Sequence, residues 1–113
     1  MNLNIIVITG RLAAEPELTT FASGSRLVRL LVTVRSDEPR RRIDVLPVVM
    51  WDPAEHIPLD ELTRGAGVWI AGSVQRRFWS AEAGRTSRVE IVAHDVALRP
   101  DVDSGEKTGS NAA

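Results

Sequence analysis

The chain has 113 residues, a hydrophobic content of 43%, a charged content of 26% and a formal net charge of −1 at pH 7. These values are typical of a single compact globular domain with a modest core. The chain contains no cysteine, which excludes a disulfide framework and a thiolate metal site.

The first half of the chain predicts three strands. Residues 3–9 are apolar and β-branched, which favours a buried strand, and Gly10 after them indicates a bend. A short extended piece is expected around residues 18–21. Residues 26–35 alternate between apolar and polar side chains, which places Arg29 and Arg35 on one face. After the polar loop 36–42, residues 43–51 predict a third strand that Pro47 interrupts or leaves at an edge.

The second half predicts a short helix and two further strands. Asp52 suits a helix cap, Pro53 suits the first helical position, and Pro58 should break that helix after about one turn. Strands are expected over residues 66–79 and 85–98, joined by a turn at 83–84. Three strands, a helix and two strands predict an all-β, five-stranded OB-fold barrel over residues 1–99, and an unrelated β-sandwich remains the alternative. Residues 100–113 predict a short, flexible polar tail.

The strand predicted over residues 68–79 carries the strongest functional pattern. At strand period two, Val68, Ile70 and Val74 share one face. The other face interleaves flat aromatic surfaces with polar and cationic groups, a combination that suits stacked bases beside phosphates. Its members are Trp69, Ser73, Gln75, Arg77 and Trp79. Trp69 equally suits a second buried layer or a contact between subunits. Phe78 falls on the core face and is expected to pack there.

Arginines cluster along the same part of the chain, although the net charge is slightly negative. Residues 26–42 contain six arginines against two acids, and residues 76–88 contain four against one. Guanidinium groups both pair with phosphate and stack on rings. Further candidates for phosphate contacts are therefore Arg29, Arg35, Arg42, Arg85 and Arg88. Solvated turns and surface salt bridges are the alternative interpretation of these residues.

Several motifs together resemble the bacterial single-stranded DNA-binding proteins. They are Gly10-Arg11-Leu12, Glu15-Pro16-Glu17-Leu18, Val48-Val49-Met50-Trp51, Leu62-Thr63-Arg64-Gly65, the strand 68–79 and Val89-Glu90-Ile91-Val92-Ala93. The resemblance covers nearly all of residues 3–99. It implies an OB-fold homo-oligomer, most commonly a homotetramer with a dimer as an alternative. It also implies sequence-independent binding of single-stranded DNA in replication, recombination or repair.

The resemblance also implies roles for individual residues. Trp79 matches a stacking tryptophan, Trp51 a position that usually holds a stacking phenylalanine, and Arg77 a basic residue that follows the DNA strand. Trp69 matches a position with a more structural role. The chain departs from the family pattern near Val45 and in the loop 36–42, where further stacking tryptophans are absent. The tail lacks the acidic tip ending in phenylalanine, which puts tail-mediated partner recruitment in doubt.

No arrangement of residues predicts catalysis. The two histidines, His56 and His94, lack metal-ligand spacing, and no nucleophile-elbow or phosphate-loop motif is present. We therefore expect no enzyme, no cofactor and no metal. The amino terminus lacks a signal-peptide pattern and no apolar run reaches membrane length, so a cytoplasmic protein is expected. The alternative functions are an OB-fold protein-interaction or replication accessory subunit with weak DNA binding, and a single-stranded RNA binder.

Overall fold

A computed structural model describes residues 1–82 and 84–100, and the predicted tail beyond Pro100 and the turn residue Ala83 lie outside this range. Within it, the only helical element is a single 3-10 turn at Leu59–Glu61. The chain otherwise folds into six strands. They are β1 (Ile6–Leu12), β2 (Glu17–Thr20), β3 (Arg26–Ser36), β4 (Arg42–Trp51), β5 (Gly67–Ala81) and β6 (Gly84–Leu98).

Five of the strands close into a barrel. Neighbouring strands follow the order β1-β5-β6-β4-β3-β2, and β1 also pairs with β3, which closes the circle. Strand β2 is the short extended piece predicted around residues 18–21. It lies along the same edge of β3 as the end of β1, since β3 pairs with β2 at residues 26–29 and with β1 at 32–33. The OB-fold barrel predicted from the order of elements is confirmed.

Strand periodicity explains the core. Alternate residues of β3, such as Val28, Leu30 and Val32, point inward and are almost completely buried, and so do Val68 and Ile70 in β5. Apolar groups at every second position therefore meet inside the barrel, where burial of each contributes about 1.5–3 kcal/mol. The segment between β4 and β5 closes one end of this core by inserting two side chains, Ile57 and Leu62.

Two glycines allow close approaches between strands. A Cβ atom at Gly10 would overlap the backbone carbonyl of Thr33, and one at Gly72 would overlap the backbone of Val92. The pairing of β5 with β6 also shifts between Ala71 and Gly72, as expected for a β-bulge. Glycine, which has no Cβ atom, therefore fits at both positions where a larger residue would not.

The helix start predicted at Asp52 does not form. Asp52 has a positive φ of 44°, and its carboxylate accepts a hydrogen bond from the amide of Arg26 at 2.9 Å. The side chain thus fixes the end of β4 to the start of β3 instead of capping a helix. Proline at positions 53 and 58 removes two amide donors from this segment, so a regular helix has too few hydrogen bonds. His56 Nε2 donates to Asp95 Oδ1 at 2.8 Å and ties the segment to β6.

The β5–β6 hairpin extends beyond the barrel. Strands β4 and β6 pair only at Val48–Ile91 and Val49–Val92, whereas β5 and β6 stay paired as far as Ala81 and Gly84. Both faces of this extension meet solvent. The predicted core packing of Phe78 is therefore wrong, because its side chain is 51% exposed and lies on the extension.

Candidate nucleic-acid interface

An open groove of about 300 Å³ lies between the barrel wall and the hairpin. Its floor is the outer surface of β3 and β4, one wall is the segment 14–17, and the other is residues 88–90 of β6. The groove exists because β6 leaves β4 after a short pairing, so that a gap opens beside the free edge of β4. Pro47, which has no amide donor, lies at this edge.

The groove combines an apolar floor with charges of both signs. The apolar residues in its lining are Ala14, Leu30, Leu31, Pro47, Val48, Val49 and Val89. The charged side chains are Arg29 and Arg88 with Glu15, Glu17 and Glu90, which gives two positive charges and three negative ones. The surface next to the predicted aromatic strand is therefore mixed in charge, although the sequence concentrates arginines there.

The hairpin places three predicted site residues beside one another. Arg77 and Arg88 are directly opposite in the β5–β6 pairing. Arg77 Nη1 lies 3.7 Å from Glu90 Oε2, and Arg88 Nη2 lies 3.5 Å from the same oxygen. The guanidinium carbon of Arg88 also lies 5.7 Å from the centroid of the Trp79 ring. The groove thus continues into an aromatic and cationic surface on the hairpin.

Gln75 belongs to the same face of the hairpin. It pairs with Glu90 across the strands, and its side-chain amide donates a hydrogen bond to Ser73 Oγ at 3.1 Å. The His94 ring lies on the other side of that hydroxyl, with Nε2 at 3.1 Å. An amide with both donor and acceptor atoms is suited to hydrogen bonding with a base edge or a phosphate.

Trp51 is the last residue of β4, two positions beyond the groove residue Val49 and on the same face of the strand. Its ring stacks on Phe21 with a centroid separation of 5.7 Å and an interplanar angle of 27°. Phe21 was not among the residues predicted for the site. The sequence feature that could have indicated it is an aromatic residue close to the Ser23-Gly24 turn, where a side chain cannot pack inside the barrel. The two rings form one extended aromatic surface.

Four predicted site residues lie elsewhere. Trp69 pairs with Thr9 and Ala97 on the outer surface formed by β1, β5 and β6. Arg85 lies on the opposite face of the hairpin from Trp79, with its guanidinium carbon 4.6 Å from the Phe78 ring.

The other two arginines occupy the far end of β3 and the start of β4. Arg35 lines a separate cleft with Thr9, Arg11, Thr33 and Arg99. Arg42 is bound to its neighbour, because its Nε lies 2.9 Å from Asp44 Oδ2. That hydrogen bond and the charge of Asp44 raise the pKa of Arg42 above its usual value. Of the ten predicted residues, Arg29 and Arg88 line the groove, Gln75, Arg77 and Trp79 share the adjoining face of the hairpin, and Trp51 lies next to the groove residue Val49 along β4.

Neither a metal centre nor a membrane span is found in the part of the chain that the structure describes. Within residues 1–82 and 84–100, no three histidine, aspartate or glutamate side chains are grouped to hold a metal ion. No helix of this range is long and apolar enough to cross a bilayer.

Comparison with known proteins places this barrel and groove in a family. A sequence model of the single-strand binding protein family matches residues 3–99. The chain belongs to this family. A single-stranded DNA-binding protein of Caldanaerobacter subterraneus is 31% identical over 114 residues, covering 96% of this chain and 75% of the relative. A protein of the same description from Clostridium tetani is 29% identical and covers 97% of this chain and 77% of the relative.

Two further similarities show how much of this chain and of each relative is matched. The single-stranded DNA-binding protein of Treponema pallidum is 27% identical over 92% of this chain, and the chain spans 62% of that relative's length. Among solved structures, a Plasmodium falciparum SSB in complex with ssDNA superposes with a TM-score of 0.72. It covers 88% of this chain and 96% of its own at 21% identity, and so supports the shared fold.

Proposed function

We propose that this chain binds single-stranded DNA without sequence preference, as a non-catalytic component of replication, recombination or repair. Its membership of the single-strand binding protein family is the main support. The observation on this chain that carries the proposal is the groove lined by Arg29 and Arg88, together with the adjoining face of the hairpin, where the exposed ring of Trp79 lies beside Arg88. Stacking on an aromatic ring accepts any base, because every base has a flat face.

The geometry supports a division of roles within the site. Trp79 and the Phe21–Trp51 pair offer rings for bases, and Arg29, Arg77 and Arg88 offer guanidinium groups for phosphates. The apolar floor of the groove favours base rings over the strongly hydrated phosphates. In this arrangement the bases stack on the exposed rings, and the phosphates meet the guanidinium groups beside them.

The binding proposal predicts tryptophan quenching that weakens with salt. If Arg29, Arg77 and Arg88 each neutralise one phosphate, log K falls against log salt with a slope of about −2. The affinity then drops roughly 15-fold between 50 and 200 mM salt. Fluorescence titration with oligo-dT measures both quantities, and the matched oligo-U titration separates DNA from RNA preference. A folded protein that shows no quenching at low salt would contradict the proposal.

We further propose that the chain forms a homo-oligomer, either a tetramer or a dimer, through its first strand. Strand β1 pairs with β5 over residues 6–11 but with β3 only at Arg11 and Leu12. Among the described residues, the other edge of residues 6–10 therefore has no strand beside it. The adjoining surface is apolar and exposed at Leu3, Ile5, Val7 and Trp69. An unpaired edge beside an apolar patch favours pairing with a second chain.

Charge introduced on this surface is expected to separate the subunits. Val7→Asp places a carboxylate next to the free edge of β1, where burial in an interface is unfavourable without a partner. Light scattering should give the wild type a molecular mass that is a multiple of 12.4 kDa, and it should give the variant a smaller mass. Ile43→Asp is the matched control, because Ile43 is 60% exposed and Val7 is 62% exposed. A wild-type monomer at micromolar concentration would exclude this assembly.

A further inference from the structure

We infer that Glu90 competes with DNA phosphate for Arg77 and Arg88, and so limits the affinity of the site. The inference rests on the proposed binding of single-stranded DNA. It concerns the regulation of affinity by one carboxylate that none of the sequence motifs assigned to the interface.

Glu90 is placed to hold both guanidinium groups at once. Its side chain is only 10% exposed, and one of its oxygens lies within 4 Å of both arginines. Arg77 comes from β5 and Arg88 from β6, so the carboxylate bridges the two strands of the hairpin. The arginine side chains keep about half or more of their surface in solvent. Phosphate therefore has access to the guanidinium groups from outside, while Glu90 contacts them from within.

The local charge balance explains why Glu90 opposes binding. Two arginines and one glutamate leave a single net positive charge on this part of the hairpin. A phosphate that replaces Glu90 as the partner of the arginines still meets its negative charge, since the carboxylate is covalently fixed and shielded from solvent. Like charges at this range repel, and reduced exposure to water strengthens the repulsion. A neutral side chain of the same shape would raise the net charge to two.

The same carboxylate also influences Trp79. Arg88 lies both 3.5 Å from Glu90 and 5.7 Å from the Trp79 ring centroid, so one guanidinium links the acid to the stacking surface. Loss of the Glu90 charge therefore makes the surroundings of Trp79 more positive even without DNA. This gives a measurement that does not depend on DNA binding.

Glu90→Gln tests the inference because it removes the charge and preserves the size of the side chain. Oligo-dT binding at low salt should become about three- to tenfold tighter, since two ion pairs at the surface no longer oppose binding. Glu61→Gln is the control. It also removes one negative charge, but Glu61 is exposed in the 3-10 turn between β4 and β5 and does not line the groove.

Quenching by iodide provides the second readout. With Trp51 and Trp69 changed to phenylalanine, Trp79 is the only tryptophan in the chain, so the tryptophan fluorescence comes from this residue alone. The Glu90→Gln change should then increase quenching by the iodide anion and leave quenching by neutral acrylamide unchanged. Unchanged iodide quenching would show that Glu90 does not set the charge at Trp79, and would overturn the inference.

The binding outcomes distinguish the inference from the proposed function. If the wild type binds and Glu90→Gln binds equally or more weakly, the inference alone is overturned. Equal gains in Glu90→Gln and Glu61→Gln also overturn it, because the effect is then one of total charge. If neither the wild type nor Glu90→Gln binds DNA, the proposed function is wrong and the inference fails with it.

Discussion

Replacement of Trp79 by alanine is expected to weaken binding of single-stranded DNA by about 1–3 kcal/mol, or roughly 5- to 150-fold. The ring is 42% exposed and lies on the hairpin extension, outside the barrel core. Its loss therefore removes a stacking surface without opening a cavity in the core. The free energy of unfolding should change little, as for surface substitutions generally. Fluorescence anisotropy of a labelled oligo-dT measures the affinity, and chemical denaturation measures the stability.

Trp69→Ala is the matched control for this variant. Trp69 is the same residue type on the same strand, and it is 48% exposed, but it lies beside Thr9 and Ala97. We expect its loss to reduce assembly and to leave the binding of a short oligonucleotide to one barrel unchanged. Trp79→Ala should have the opposite pattern, with normal assembly and weak binding. Equal affinity of Trp79→Ala and wild type would remove Trp79 from the site.

The largest effect on folding is expected from Gly72→Ala. A Cβ atom at this position would overlap the backbone of Val92 in the neighbouring strand, and backbone cannot rotate away as a flexible side chain does. Strands β5 and β6 would have to separate at the bulge, next to the core residue Ala93. Overpacking of this kind typically costs about 1–3 kcal/mol and occasionally more. Urea denaturation should show a lower midpoint, together with weaker DNA binding if the hairpin changes direction.

Ala71→Ser is the control for Gly72→Ala. Ala71 is the preceding residue of β5 and is exposed, so the substitution should change the free energy of unfolding by less than about 0.5 kcal/mol. A Gly72→Ala protein as stable as this control would show that β5 and β6 do not approach closely at the bulge.

The aromatic content of the site differs from the expectation based on the sequence. The missing tryptophans near Val45 and in the loop 36–42 suggested a loss of stacking surface. The structure adds Phe21, whose ring is partly exposed and stacks on Trp51. The groove also carries charges of both signs, with three glutamates and two arginines in its lining.

The sequence alone was sufficient to predict the barrel. Apolar side chains alternate along β3 and β5, and this period of two both defines a strand and selects its buried face. The order of the elements then left few ways to bury all those faces together. Trp79 and Arg77 were likewise predictable as a surface pair, because they share one face of one strand and local periodicity determines that face.

Only the tertiary structure decided which of these residues line one groove. Arg29 and Arg88 come from two strands that do not pair with each other, and their proximity depends on where β6 separates from β4. Phe21 contacts Trp51 although 30 positions separate the two residues in the sequence. Glu90 likewise contacts two arginines that come from different, paired strands. Asp52 followed a helix-capping pattern in the sequence, but the amide of Arg26 provides its partner. Local patterns determine the direction of a side chain within its element, whereas the packing of distant elements determines which groups it contacts.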